Sequence, residues 1–172
     1  EAETNRNISE EIIEKIREQG LFRLLQPKRF GGLEYDITTV VHCCLEWSSA
    51  DASAAWVAGL GIVHQWLVAL FPIKCQEEIW GDNTDAITFG SYAPSGTCKR
   101  VKNGFKISGT WSYASGCTHG DWALLGTLLP AEGANEPLRP GFVIIPATDY
   151  TIDTCWNPMG LAATGSHNVI CE

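Results

Sequence analysis

The hydrophobic residues of this chain change their repeat once, near Gly81, and that change constrains the fold more than any other feature. Up to Trp80 apolar positions recur every three to four residues, the repeat of a helix with one buried face; after Gly81 they come in short runs typical of strands. Helices and strands that occupy separate halves do not build an alternating parallel α/β sheet. The expected fold is therefore α+β. An N-terminal α-helical domain over residues 1–82 should be followed by an antiparallel β-barrel-like domain over residues 83–172.

The helical half divides into four segments. Ile8, Ile12, Ile13 and Ile16 form one stripe, with Ser9 as N-cap, Glu10 and Glu11 at the positive end of the helix dipole and Gly20 as the stop. Pro27, Gly31 and Gly32 make 21–35 a loop. Asp36 caps a second helix with the stripe Ile37, Val40, Val41, Cys44 and Leu45, and Asp51 starts a third over 52–70 that is apolar nearly all round. Pro72 opens a fourth, ending near Trp80. The stretch 52–71 is long enough for a membrane span, but Ser53, His64, Gln65 and two glycines interrupt it and no Lys or Arg anchors its N-terminal side. A buried helix is expected there, and no membrane partner.

Strands are expected at 86–89, 98–101, 105–111, 122–128, 142–145, 150–153 and 168–171, with Lys102-Asn103-Gly104 as a tight hairpin turn because Asn-Gly tolerates positive φ. The stretch 130–140 reads as a surface loop. The last residues, 169–172, look like a strand cut midway, so the chain is expected to be a fragment.

Charge narrows the function. Twelve Lys and Arg against twenty Asp and Glu leave a net charge of −8 and no basic run to neutralise a phosphate backbone, which argues against nucleic acid. The seven cysteines have no zinc-like spacing and are an odd number, so reduced thiols and no metal are expected. Residues 1–11 lack the positive and apolar regions of a secretion signal, which points to the cytoplasm. No phosphate-loop, dinucleotide, zinc-protease or hydrolase-elbow motif is present.

What remains is a concentration of aromatic and small hydroxyl residues in three glycine-containing loops. They are Gly90-Ser91-Tyr92-Ala93-Pro94-Ser95-Gly96, Trp111-Ser112-Tyr113-Ala114-Ser115-Gly116 and Gly160-Leu161-Ala162-Ala163-Thr164-Gly165-Ser166. Flat ligands are held in this way, by aromatic walls over a ring face and hydroxyls or exposed N–H groups at its edge. The same residues also serve as ordinary turns around an aromatic core.

The phrase Gly20-Leu21-Phe22-Arg23 through Gln26-Pro27-Lys28-Arg29-Phe30-Gly31-Gly32 resembles the opening of the acyl-CoA dehydrogenase superfamily. Ser53-Ala54-Ala55-Trp56-Val57, the stretch from Gly104-Phe105-Lys106 to Ser115-Gly116, and Met159-Gly160 through Gly165-Ser166 are similar to its two-component flavin-dependent monooxygenase branch, whose oxygenases act on 4-hydroxyphenylacetate, hydroxylated steroids and dibenzothiophene. The resemblance implies a helical domain, a middle β domain and a C-terminal four-helix bundle that makes a homotetramer; the bundle is absent from this chain. It implies an oxygenase component that takes reduced flavin, FMN or FAD, from a separate flavin reductase and uses O2 on a small aromatic or flat substrate. The alternatives are an acyl-CoA dehydrogenase-like FAD oxidoreductase and a non-catalytic flavin-binding or assembly fragment. Trp-Ser-Tyr-Ala-Ser-Gly at 111–116 departs from the dehydrogenase pattern toward the monooxygenase one.

Carried over by position, the resemblance places Trp111, Ser112, Ser115 and Gly116 against the flavin ring, with Ser115 near its central nitrogen and Ser112 as the fallback. Ser91, Pro94 and Gly96 would form the preceding flavin-edge loop, and Thr164, Gly165 and Ser166 the later one. His64 would face flavin and substrate from the third helix, where an imidazole could take a phenol proton, and it should share a cleft with Ser115. His119 reads as surface polar, His42 as solvent-facing, and Trp47, Trp56, Trp66 and Trp80 as packing residues. Titration with a chromogenic disulfide in denaturant is expected to count seven thiols. A smaller count restored by reductant would contradict a reducing compartment.

Overall fold

Two aspartates frame the helical half. In this computed structural model, which describes residues 2–102, 104–131 and 137–172, the Asp36 carboxylate accepts from the Thr39 N–H (2.9 Å) and starts α3. The Asp51 carboxylate accepts from the Ala54 N–H (2.7 Å) and starts α4. The helices are α1 (Ala2–Asn5), α2 (Glu10–Glu18), α3 (Ile37–Ser48), α4 (Ala52–Ala69) and α5 (Ile73–Trp80). Ser9 occupies the N-cap position of α2 with extended backbone but makes no side-chain cap bond, and Gly20 ends the segment at φ 67°. The one-turn α1 was not expected from the sequence.

The strands are β1 (Thr88–Ser91), β2 (Thr97–Val101), β3 (Gly104–Ala114), β4 (Trp122–Leu129), β5 (Arg139–Pro146), β6 (Thr151–Asp153) and β7 (His167–Cys171). They form two sheets, β1-β4-β5 and β2-β3-β7-β6. Between them lies a core of Trp111, Ala114, Cys117, Ala123, Leu125, Ile145, Val169 and Cys171. The Trp111 indole N–H donates to the Gly126 carbonyl (2.6 Å), a bond from β3 of one sheet to β4 of the other. Strands β2 and β3 pair antiparallel with Val101 opposite Gly104, as the hairpin requires, although Asn103 of the expected turn lies outside the described residues.

One pairing departs from the antiparallel expectation. β1 runs parallel to β4, with Gly90 opposite Leu124. The partners are separated by the whole β2–β3 hairpin, and strand direction across such an excursion leaves no mark on local alternation. The approach is close: a Cβ at Gly90 would lie 1.8 Å from the Leu124 carbonyl oxygen.

Helices and strands share a core. Ile8, Ile13, Phe22, Val40, Val57 and Ile62 pack with Ile87, Phe89 and Ala163 from beyond Gly81. α4 is long and apolar enough to cross a membrane by length and composition, but its Ser53, His64 and Gln65 are buried inside the protein with the apolar residues around them. The segment joining helices to sheet is held by side chains. Gln26 Nε2 donates to the carbonyls of Thr84 (2.9 Å) and Phe30 (2.8 Å), Arg17 to that of Asp85 (2.7 Å), and Gln65 Nε2 to that of Ala86 (2.7 Å). The Asp121 carboxylate accepts the Ile87 N–H (2.8 Å). All seven cysteines are free thiols.

Gln26→Leu strips donors from two carbonyls while relieving one buried, unpartnered amide oxygen, for a net cost of about 1–3 kcal/mol. Urea unfolding followed by far-UV circular dichroism and by tryptophan fluorescence should shift to a lower midpoint with the two signals still coincident. Separated transitions would show that the joint does not couple the two halves.

Candidate active site

A break in β3 creates the site. Its pairing with β7 shifts register between Trp111 and Ala114, and Tyr113 inside the shift has φ 61°. A left-handed tyrosine costs on the order of 1–3 kcal/mol and persists only where its surroundings hold it. Here the bulge turns Tyr113 outward, 73% exposed, while Ser115 turns in. Gly116 follows at φ 72°, where a Cβ would lie 2.7 Å from the Phe89 ring, and its N–H donates to the Thr164 carbonyl (2.9 Å). That bond joins the 111–116 loop to the 3₁₀ turn Ala162–Thr164, which enters at Leu161 (φ 55°) and leaves at Gly165 (φ 53°), both left-handed.

Across this joint runs a chain of hydroxyls. Ser115 Oγ and Ser166 Oγ are 2.7 Å apart, as are Ser166 Oγ and Thr164 Oγ1. Thr164 Oγ1 is 2.9 Å from the Leu161 carbonyl, which can only accept. Thr164 therefore donates to Leu161, Ser166 to Thr164, and Ser115 to Ser166. At the other end the Trp56 indole N–H donates to Ser115 Oγ (3.2 Å). The expectation that Trp56 and Trp66 are packing residues is corrected: they are 51% and 48% exposed on α4, whereas Trp47 and Trp80 do pack in the cores. Trp56 lines an apolar groove of about 450 Å³ between α3 and α4.

A strap of N-terminal residues holds the turn from behind. The Glu3 carboxylate accepts from the N–H groups of Ala162 (2.9 Å) and Ala163 (3.3 Å) and from the Ser53 hydroxyl (2.6 Å), which holds the carboxyl below its ordinary range. Asn7 Oδ1 meets Thr118 Oγ1 and His119 Nε2, both at 3.1 Å, and Glu10 Oε2 meets His119 Nδ1 at 2.9 Å. His119, expected at the surface, is buried by this strap. Its partners lie more than 100 positions away, so no local pattern announces the contact. His42 is exposed, as expected.

His64 is 1% exposed. Its Nδ1 lies 2.7 Å from the Leu60 carbonyl, so that nitrogen carries the proton, and Nε2 is left as a bare, buried acceptor. The ring packs at 5.3 Å from Tyr92 and 6.3 Å from Phe89, and burial pushes its pKa down to about 4.

The residues singled out from the sequence fall into groups. Ser115, Gly116, Thr164, Gly165 and Ser166 come together in the hydroxyl chain. Ser91 Oγ donates to the Ser112 carbonyl (2.8 Å), which ties β1 to the bulge. Gly96 packs against Trp111: its φ is 68°, and a Cβ would lie 2.6 Å from the indole, which is itself wholly buried. Pro94 is exposed on the intervening loop. Neither His64 nor Ser115 lines the groove between α3 and α4 or the cleft beside the hydroxyl chain. Beside the chain, Ser112, Tyr113, Cys155, Trp156, Asn157 and Ser166 edge a cleft of about 290 Å³. Among the described residues no cluster of three His, Cys, Asp or Glu could hold a metal ion.

Known proteins are similar to this chain in sequence and fold. Residues 1–80 match the acyl-CoA dehydrogenase N-terminal domain family. The whole chain is 37% identical to an FADH(2)-dependent resorcinol hydroxylase oxygenase component of Rhizobium sp. and covers 42% of it. It is 38% identical over its full length to the flavin-dependent monooxygenase oxygenase subunit HsaA of Rhodococcus jostii, of which it covers 44%. It superimposes on the crystal structure of a Rhodococcus 3-HSA hydroxylase with TM-score 0.93 at 38% identity, over 99% of this chain and 44% of the other. XiaF from Streptomyces sp., in complex with FADH2 and glycerol, gives TM-score 0.92 at 30% identity, over 99% and 43%. The chain thus spans less than half the length of these relatives. Its first 80 residues carry the acyl-CoA dehydrogenase N-terminal domain pattern, and the chain as a whole is similar to flavin-dependent oxygenase components.

Proposed function

We propose that this chain is the flavin-holding portion of the oxygenase component of a two-component flavin-dependent monooxygenase, one that takes reduced FMN or FAD from a separate reductase and uses O2 to oxygenate a small aromatic or other flat substrate. The observation that carries the reading is the buried hydroxyl chain ending at Ser115, between two glycine loops with aromatic residues at their edges. Such a polar seam suits the heteroatom edge of a ring, and the unpartnered His64 Nε2 offers a second buried polar contact. The seven free thiols favour a cytoplasmic protein, and the resemblance a homotetramer built through a C-terminal bundle.

When bound, the reduced flavin supplies the electrons that activate O2. The protein's own part is binding, orientation and dryness. Ser115 and Ser166 meet the ring edge, with Gly116 and Gly165 allowing close backbone approach; Ser91 and Ser112 brace the bulge, and Gly96 and Trp111 act from the core beneath it. Trp56 and Tyr113 are exposed aromatic faces available to a flat ligand. His64 serves better as an acceptor than as a base: at a pKa of about 4 it is neutral at pH 7 and binds a proton weakly, so it orients a substrate hydroxyl rather than removing its proton.

Protein supplied with an NADH-driven flavin reductase, free flavin, resorcinol and ¹⁸O₂ should yield a product carrying one ¹⁸O atom. Purification as a yellow protein with stoichiometric FAD that an acyl-CoA bleaches would favour the dehydrogenase instead. His64→Asn, which can keep the donor to Leu60, should slow oxygenation by about 10–100-fold while reduced-flavin affinity stays within threefold. A change in melting temperature alone would make His64 a core residue.

The same histidine sets a pH dependence. Its folded pKa lies below the ordinary 6.5, so the unfolded chain takes up the proton first as pH falls. The stability due to neutral His64 is complete above pH 6.5 and lost between 6.5 and about 4, on the order of 3 kcal/mol. Urea titrations should show a steeper slope in the wild type than in His64→Asn, which keeps the smaller slope of the same sign due to His167, whose pKa burial also lowers.

A further inference from the structure

We infer that Thr164 and Ser166 determine which redox state of the flavin the site accepts, by fixing the direction in which the Ser115 hydroxyl points its proton. The inference deepens the proposed function and rests on its placement of Ser115 at the ring edge, taken at the central nitrogen as the family resemblance implies.

The argument starts from proton counting. Each hydroxyl has one proton to give and two lone pairs to offer. The Leu161 carbonyl, 2.9 Å from Thr164 Oγ1, takes the Thr164 proton. Thr164 can then only accept from Ser166, and Ser166 can only accept from Ser115, at 2.7 Å in both cases. Trp56 donates from the other side, at 3.2 Å. The five groups thus form one directed series of four bonds from the indole N–H to the backbone carbonyl, and aligned hydrogen bonds of this kind reinforce one another in a buried setting. Ser115 has spent its proton and one lone pair. What it retains for a ligand is its second lone pair, so the site asks for a donor.

The two oxidation states of a flavin differ at that point. Reduced flavin carries an N–H at the central ring nitrogen and can donate to Ser115. Oxidised flavin has there only a lone pair, which would face the lone pair of Ser115. To bind it, Ser115 must turn its proton away from Ser166 and break the series in a buried place, where a lost partner is costly. The Leu161 carbonyl that sets the direction is itself held in position, because Glu3 anchors the next two N–H groups. Thr164 and Ser166 are positioning residues here, acting through Ser115.

The test compares affinities for two forms of one ligand. The 172-residue chain is titrated with oxidised FMN by fluorescence and with reduced FMN by anaerobic calorimetry, as wild type and as Thr164→Val, Thr164→Ser and Ser166→Ala. Thr164→Val removes the proton sink in nearly the same volume; Ser166→Ala frees the Ser115 proton directly and serves if the valine variant fails to fold. The wild type should prefer reduced FMN, the preference should fall about tenfold in Thr164→Val and Ser166→Ala through tighter binding of the oxidised form, and Thr164→Ser should restore it. General loosening of the loop would weaken both forms together and leave the ratio unchanged. An unchanged ratio in the valine and alanine variants, or equal wild-type affinities, overturns the inference while the proposed function stands. Failure of the wild type to bind either form overturns both.

Discussion

The stretch Thr84 to Ile87 carries the rest of the structure, because it is where a helical assembly must hand over to a sheet without leaving backbone groups unpaired. Buried carbonyls and N–H groups cannot go without partners, yet this stretch belongs to neither a helix nor a ladder. Side chains fill the gap: Gln26 on Thr84, Arg17 on Asp85, Gln65 on Ala86 and Asp121 on the Ile87 N–H. Ile87 then returns its carbonyl to the N–H groups of Asp121 and Trp122, which leads into β4. The donors come from α2, the loop after it and α4, so the joint also locks the helices to one another. β1 can run into the centre of the molecule, parallel to β4, because its entry is secured in this way.

α4 shows how one helix can serve two purposes. One side inserts Ser53, His64 and Gln65 among apolar neighbours: Glu3 holds Ser53, the Ala86 carbonyl holds Gln65, and His64 bonds back to Leu60 of the same helix. Another side leaves Trp56 half in solvent beside the groove formed with α3 while its indole nitrogen reaches Ser115. A helix apolar all round is read most simply as a core helix, and that reading hides which polar and aromatic residues on it face a site.

The candidate site depends on left-handed backbone at Tyr113, Gly116, Leu161 and Gly165. Two of these are glycines, for which the conformation is cheap, and two are not. Strain at Tyr113 and Leu161 is tolerated because each is followed by an anchored residue: Gly116 bonded to Thr164, and Ala162 and Ala163 bonded to Glu3. The direction of the hydroxyl series comes from the same geometry, since only a turn at Leu161 returns its carbonyl to Thr164.

Much of the frame was legible in the sequence. Periodicity located four helices and the change to strands at Gly81, Asp36 and Asp51 marked helix starts through short-range capping, and the glycine loops at 111–116 and 160–166 stood out by composition. All of these are local, set by residues within a turn or two of each other. The parallel β1–β4 pairing, the burial of His119, the exposure of Trp56 and the reach of Glu3 to a turn 159 positions away were not legible. Each depends on which distant surfaces meet, and a hydrogen bond across the chain leaves no spacing behind. The sequence by itself determined the elements and the chemical groups present; only tertiary structure decided which of those groups share protons, because that requires them to lie within 3 Å of one another.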